Sequence, residues 1–297
     1  MARPAPGSFT AGQYEGPHGA LSYRLYMPQG SDRRRLPLVV MLHGCTQTAV
    51  DFARGTDMNA LADEFGFIVL YPEQSQSANP HRCWNWHRPS DQRRGSGEPA
   101  AIAALTLHTA ALCRANPSRI YIAGISAGGS AAEITGRCYP DIYAAVGLHS
   151  AVASGNVTSL PGALSAMRNG GVGAALSRKA RLQPIIIFHG DSDRTVHPGN
   201  ASGFICTLNG SPAQTCVAQV SKGQSGGGRD FTRTVYTSPA SKVLVENWTV
   251  HGGGHAWFGG NRAGTYTDPA GPDASREIIR FFLAHRLPPV VTKSAST

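Results

Sequence analysis

Short apolar runs recur along the chain, separated by stretches with helical patterning, and this alternation limits the fold more than any other feature. Residues 21–27 alternate apolar and polar, whereas 38–42, 67–71, 120–123, 144–148, 185–188 and 243–248 are mostly continuous apolar runs. Alternation suits a strand with one wet face, and a continuous run suits a strand buried on both. Helical patterning falls between them at 58–65, 98–114, 127–137 and 273–285. The expected architecture is an α/β fold: one open, mostly parallel central sheet with helices on both faces. The 297 residues suffice for a single domain over 1–286, with 287–297 read as a fraying tail or the start of a linker.

Two stretches fit neither pattern. Residues 151–182 are Gly-rich and partly helical, and they follow the C-terminal end of a strand, where open α/β sheets place their sites, so they are expected to shape a substrate cleft. Residues 221–228 read as a glycine loop.

Charge and cysteine content restrict the function classes. The net charge of +9 is carried by 23 Arg and 4 Lys against 18 acids, but the clusters at 33–35 and 93–94 are short and lack any nucleic-acid-binding pattern beside them. A basic solvated surface is expected, with no nucleic-acid partner. No apolar run approaches the roughly 18–20 residues of a membrane span, so no membrane partner is expected. Residues 1–7 lack a stretch of signal-peptide length, so an exported form is expected to have lost its leader. Cys45, Cys83, Cys113, Cys138, Cys206 and Cys216 show no zinc-type spacing. Disulfides in an oxidising compartment are favoured over six buried thiols, and Cys206 with Cys216 is the most plausible local pair because they bracket a turn.

The strongest chemical signal is Gly124-Ile-Ser126-Ala-Gly128 at the junction of a strand and a small-residue helix start. A turn this tight needs small residues two before and two after the serine, and it presents the hydroxyl at a helix N-terminus. Ser126 is therefore the expected nucleophile. It needs a base and an orienting acid, which follow it in the order acid then histidine. The buried run at 184–188 leads into His189-Gly-Asp191-Ser-Asp193-Arg-Thr-Val196, where Asp193 fits the acid and Asp191 ties down the turn. After the last apolar run, His251-Gly-Gly-Gly-His255 supplies the base as His255, with His251 a supporting loop residue. Three glycines between these histidines argue against a zinc-binding helix, and neither metal nor cofactor is expected. Upstream, His43-Gly44-Cys45-Thr46 follows a buried strand at the place of the second oxyanion donor. The amides of Cys45 and Ala127 are the expected pair, with Cys45 chosen over Thr46 and His43 bracing the loop.

His43-Gly-Cys-Thr-Gln47, Tyr71-Pro-Glu73, Cys83-Trp-Asn-Trp86, Gly124-Ile-Ser-Ala-Gly-Gly129, Gly147-Leu-His-Ser150 and Gly252-Gly-Gly-His-Ala-Trp257 together resemble the catalytic domains of extracellular poly(3-hydroxybutyrate) depolymerases. Bacterial feruloyl and acetylxylan esterases are relatives of that family, and the resemblance covers residues 14–285. It implies an α/β-hydrolase fold, secretion, a Ser126, Asp193, His255 triad, and the Cys45 amide in the oxyanion hole. The order of the oxyanion turn and the serine looks like the type 1 arrangement, and a disulfide joining Cys45 to Cys83 fits it. Unlike full-length depolymerases of this kind, nothing here is long enough to be a polymer-binding domain. Trp84, Trp86 and Trp257 flank the motifs and are expected either to wall a site for a polyester or aromatic acyl group or to pack as core aromatics. The expected function is a secreted serine carboxylic-ester hydrolase acting on poly(3-hydroxybutyrate) or its oligomers. The alternative is a feruloyl or acetylxylan esterase.

Overall fold

The computed structural model describes residues 5, 7–30, 35–155, 157–173, 183–209, 217–238 and 243–288. In chain order its elements are β1 (Phe9–Gly16), β2 (Gly19–Tyr26), β3 (Leu38–Leu42), α1 (Ala49–Thr56), α2 (Met58–Phe65), β4 (Ile68–Glu73), α3 (Gly97–Leu112), β5 (Ile120–Ile125), α4 (Ala127–Cys138), β6 (Ala145–His149), α5 (Leu160–Asn169), β7 (Ile185–Gly190), α6 (Gly199–Asn209), β8 (Val217–Gln224), β9 (Asp230–Thr237), β10 (Val243–Val250), β11 (Trp257–Phe258), β12 (Thr267–Asp268) and α7 (Ala274–Leu283). Ten strands form one sheet in the order β1-β2-β4-β3-β5-β6-β7-β10-β9-β8. The central six run parallel, and antiparallel hairpins extend both edges.

Alternate residues of a strand point to opposite faces, so the continuous apolar run of β3 feeds two cores. Leu38, Val40 and Leu42 pack with Ile102 and Leu105 of α3 and Ala131 of α4. Val39 and Met41 pack with Phe52 of α1, Leu61 of α2 and Phe282 of α7. The α/β architecture expected from the sequence is thus present, with helices on both faces.

The departures lie at an edge strand, at one short helix and past the expected domain end. Residues 221–224, expected in a loop, complete the edge strand β8, whose exposed Val217 and Val220 and polar neighbours carry no burial pattern. Only the turn that follows, closed by the Gly228 amide on the Ser225 carbonyl, is a loop. Helix α1 was not anticipated, although Thr48 caps it by accepting from the Asp51 amide. Packing also continues past the expected domain end: Leu287 is buried and its amide donates to the Ser118 carbonyl. Residues 289–297 and the suspected Cys206–Cys216 bridge lie outside the described residues and side chains.

Candidate active site

Four parallel strands end on one rim of the sheet, and each releases a loop bearing one of the sequence-predicted groups. The elbow follows β5. Ser126 adopts φ 56° and ψ −123°, a conformation that side chains resist, and caps α4. The flanking glycines are required by contact. A Cβ on Gly124 would sit 2.4 Å from the Gly128 carbonyl oxygen, and one on Gly128 would sit 2.3 Å from the carbonyl oxygens of Leu42 and His43. The elbow is therefore pressed against the end of β3, where the His43–Thr46 turn begins.

Asp193 leaves β7 with its side chain fully buried. Its Oδ1 accepts the amides of Thr195 and Val196, both at 2.8 Å, and its Oδ2 accepts His255 Nδ1 at 2.7 Å. Burial opposes ionisation, but hydrogen bonds from His189 and His255 and the Val196 amide outweigh it and hold the carboxyl well below the usual carboxylate range. Since Nδ1 carries the proton, Nε2 of His255 is left as the basic nitrogen. Asp191 instead closes the neighbouring turn, accepting the Gly252 amide and His251 Nδ1, both at 2.8 Å.

The structure brings Asp193 and His255 into direct contact. Among the described residues, no hydrogen bond joins Ser126 Oγ to His255. The two loops are coupled through His149 at the end of β6, a residue the sequence reading left without a role. The Ser126 amide donates to the His149 carbonyl at 2.9 Å, and the Phe258 amide, three residues after His255, donates to His149 Nε2 at 3.0 Å. Burial, reinforced by the neighbouring His189 and His255, lowers the His149 pKa well below its usual value, so the ring stays neutral and Nε2 can accept. Trp257 stacks on this ring at 4.8 Å, is almost fully buried, and donates from its indole to Ser275. It belongs to the core and is not among the cavity-lining residues.

Beside Ser126 lies a cavity of about 400 Å³, within the range of small-molecule sites. Cys45, Trp84, Trp86 and Ala127 line it together with Val152 and with Leu160, Ala163, Leu164 and Met167 of α5, so the described part of the 151–182 stretch borders this cavity. Trp84 is fully buried and its indole donates to the His43 carbonyl at 3.1 Å, whereas Trp86 presents a sliver of surface. The amides of Cys45 and Ala127 have no acceptor among the described residues. His43 braces the turn: Nδ1 donates to the Gly44 carbonyl and Nε2 accepts the Gln74 amide, which requires the neutral ring that burial enforces. Asn200 escaped the sequence reading too. Fully buried, it holds the start of the cleft insertion by accepting the Ala153 and Gly171 amides and donating to the Ala166 carbonyl of α5. No group of three metal-type ligands occurs among the described residues.

Cys45 and Cys83 form a disulfide that ties the His43–Thr46 turn to the tryptophan segment. Replacing both with serine is expected to cost about 2–4 kcal/mol of stability, read as a lower denaturant midpoint.

A family model described as esterase PHB depolymerase matches residues 21–218. The chain belongs to that family. It is 32% identical over 266 residues to poly(3-hydroxyalkanoate) depolymerase C of Paucimonas lemoignei, an alignment covering 83% of this chain and 62% of that one. It is 30% identical to a probable acetylxylan esterase A of Neosartorya fischeri, over 62% of this chain and 53% of that one. The chain thus spans little more than half the length of these curated relatives. Among solved structures, the acetyl xylan esterase from Aspergillus awamori superposes with a TM-score of 0.70 at 19% identity, covering 93% of this chain and 99% of that one. Its likeness establishes the α/β-hydrolase fold. No helix of the described residues is long and apolar enough to cross a membrane.

Proposed function

We propose that this chain is a secreted serine carboxylic-ester hydrolase that cleaves poly(3-hydroxybutyrate) or its oligomers through an acyl-enzyme. The observation that carries the reading is the Asp193–His255 contact at 2.7 Å on the same sheet rim as the strained Ser126 elbow. Nε2 of His255 takes the Ser126 proton as Oγ attacks the ester carbonyl, and Asp193 stabilises the imidazolium. The Cys45 and Ala127 amides, with no protein acceptor among the described residues, hold the oxyanion. His255 then protonates the departing alcohol and activates the water that cleaves the acyl-enzyme. The missing Ser126–His255 hydrogen bond is consistent with a contact that tightens when substrate binds.

Two features support a polyester substrate: family membership, and an apolar cavity bordered by the exposed Leu160 and Leu164 of α5. The disulfide supports secretion. A second reading, hydrolysis of plant cell-wall acetyl or feruloyl esters, is favoured by the end-to-end superposition on an acetyl xylan esterase. Assaying poly(3-hydroxybutyrate) film, acetylated xylan and a feruloyl ester side by side decides between them. The expected result is release of soluble hydroxybutyrate oligomers at a rate above that on either plant ester. Preference for a plant ester would transfer the assignment to the second reading.

A further inference from the structure

The first turn of α3 places a carboxylate behind the cavity wall. Glu98 Oε2 accepts the Asn85 amide at 2.7 Å, and Oε1 accepts Asn85 Nδ2 at 2.7 Å and Gln74 Nε2 at 2.5 Å. Both partners reach the proposed site. Asn85 sits between Trp84 and Trp86 in the cavity lining. Gln74 donates from its side chain to the Cys83 carbonyl and from its amide to His43 Nε2, the ring that braces the oxyanion turn. The same wall meets that turn twice more, through the disulfide and through the Thr46 amide on the His81 carbonyl.

We propose that Glu98 is a positioning residue for ester hydrolysis, holding the 83–86 wall against the acyl group and, through Gln74 and His43, steadying the oxyanion turn. This rests on the hydrolase reading above. The carboxylate engages three donors, and no basic side chain pairs with it among the described residues. Burial first, and then Asp91, push its pKa up to about 7 against the hydrogen bonds from Asn85 and Gln74. The titratable groups around it are Asp91 on the preceding turn, whose Oδ1 accepts the Glu98 amide, and His43, kept neutral by burial. The Glu73–Arg82 ion pair adjoins Gln74, and His87 lies on the cavity rim. A proton on Glu98 turns one acceptor oxygen into a donor and weakens its grip on Asn85, so the wall loosens as pH falls through 7.

The test compares KM and kcat for 4-nitrophenyl acetate, whose acyl group is too short to use the wall, with those for the hexanoate. In the wild type, hexanoate KM is expected to rise about tenfold as pH falls from 8.5 to 6, with kcat for the two esters changing in parallel and acetate KM steady. Glu98→Gln should hold hexanoate KM at the high value across that range. Glu98→Asp, which keeps the carboxylate, should restore part of the pH dependence. A flat wild-type hexanoate KM, or a Glu98→Gln hexanoate KM that stays at the wild-type pH 8.5 value, overturns the proposal. If Glu98→Gln does not fold, the wild-type profile and Glu98→Asp carry the test. If the wild type hydrolyses no ester, the hydrolase reading itself fails. Wall movement is then read from tryptophan emission of the wild type, where a transition near pH 7 supports the positioning role and a flat titration contradicts it.

Discussion

Ser126→Ala is expected to lower kcat for ester hydrolysis by roughly 10⁵–10⁶-fold with little change in melting temperature, because the covalent route ends while the fold is untouched. Ser126 caps α4 without a side-chain hydrogen bond to the helix, and the elbow is held by main-chain contacts, the Ser126 amide on the His149 carbonyl and the Ser130 amide on the Ser126 carbonyl. Removing Oγ leaves these in place. A residual rate from the oxyanion amides alone, roughly 10³-fold above the uncatalysed reaction, should persist. Steady-state assay on a soluble oligoester measures the loss, and a decrease of less than tenfold would be incompatible with a serine nucleophile at this position.

Asp193→Asn is expected to cost about 10⁴-fold in kcat. The carboxylate is acceptor-only and satisfies two backbone amides on one oxygen and His255 on the other. With the amides keeping the Asn oxygen, its NH₂ faces His255 Nδ1, and the ring must move its proton to Nε2 to accept. That places the proton on the nitrogen required as the base. The stability consequence has a definite sign. Because the folded state holds Asp193 well below the usual carboxylate range, its stabilisation is present above roughly pH 4 and is lost as pH falls through and below that range. Asp193→Asn should therefore flatten the acid side of the stability curve while abolishing activity at neutral pH. Asp191→Asn is the control: its half-exposed carboxylate serves His251 and the Gly252 amide, and its loss should change kcat by less than about tenfold.

How much of this was legible in the sequence follows burial and locality. The parallel strands announced themselves because both faces of each are covered, Ser126 stood out through the Gly-x-Ser-x-Gly spacing at a strand-to-helix junction, and His255 through its place on a glycine-rich loop after the last strand. Asp193 was separable from Asp191 because only its spacing to His189 and Val196 matched a familiar pattern. Residues 221–224 of the edge strand β8 read as loop in the sequence because a strand wet on both faces has no reason to be apolar. For Trp257 the sequence leaves a site wall and a core aromatic both open, and the chain turns inward there and stacks it on His149. His149, Asn200 and Glu98 escaped because the partners that give them roles lie 13 or more residues away: Glu98 reads as an ordinary acid in the first turn of a helix, and only the fold shows Asn85 and Gln74 closing on it. Two sequence signals pointed toward them, the Gly-Leu-His149-Ser run after a strand and the Cys-Trp-Asn85-Trp segment, but neither states a contact.

Covalent labelling reads whether Ser126 is an activated nucleophile. Incubation with an alkyl phosphonate ester followed by intact-mass and peptide mass spectrometry is predicted to give one adduct per chain, on the peptide containing Ser126. The adduct should be absent from Ser126→Ala and strongly slowed in Asp193→Asn. An unlabelled wild-type protein, or an adduct on any other residue, would contradict the account.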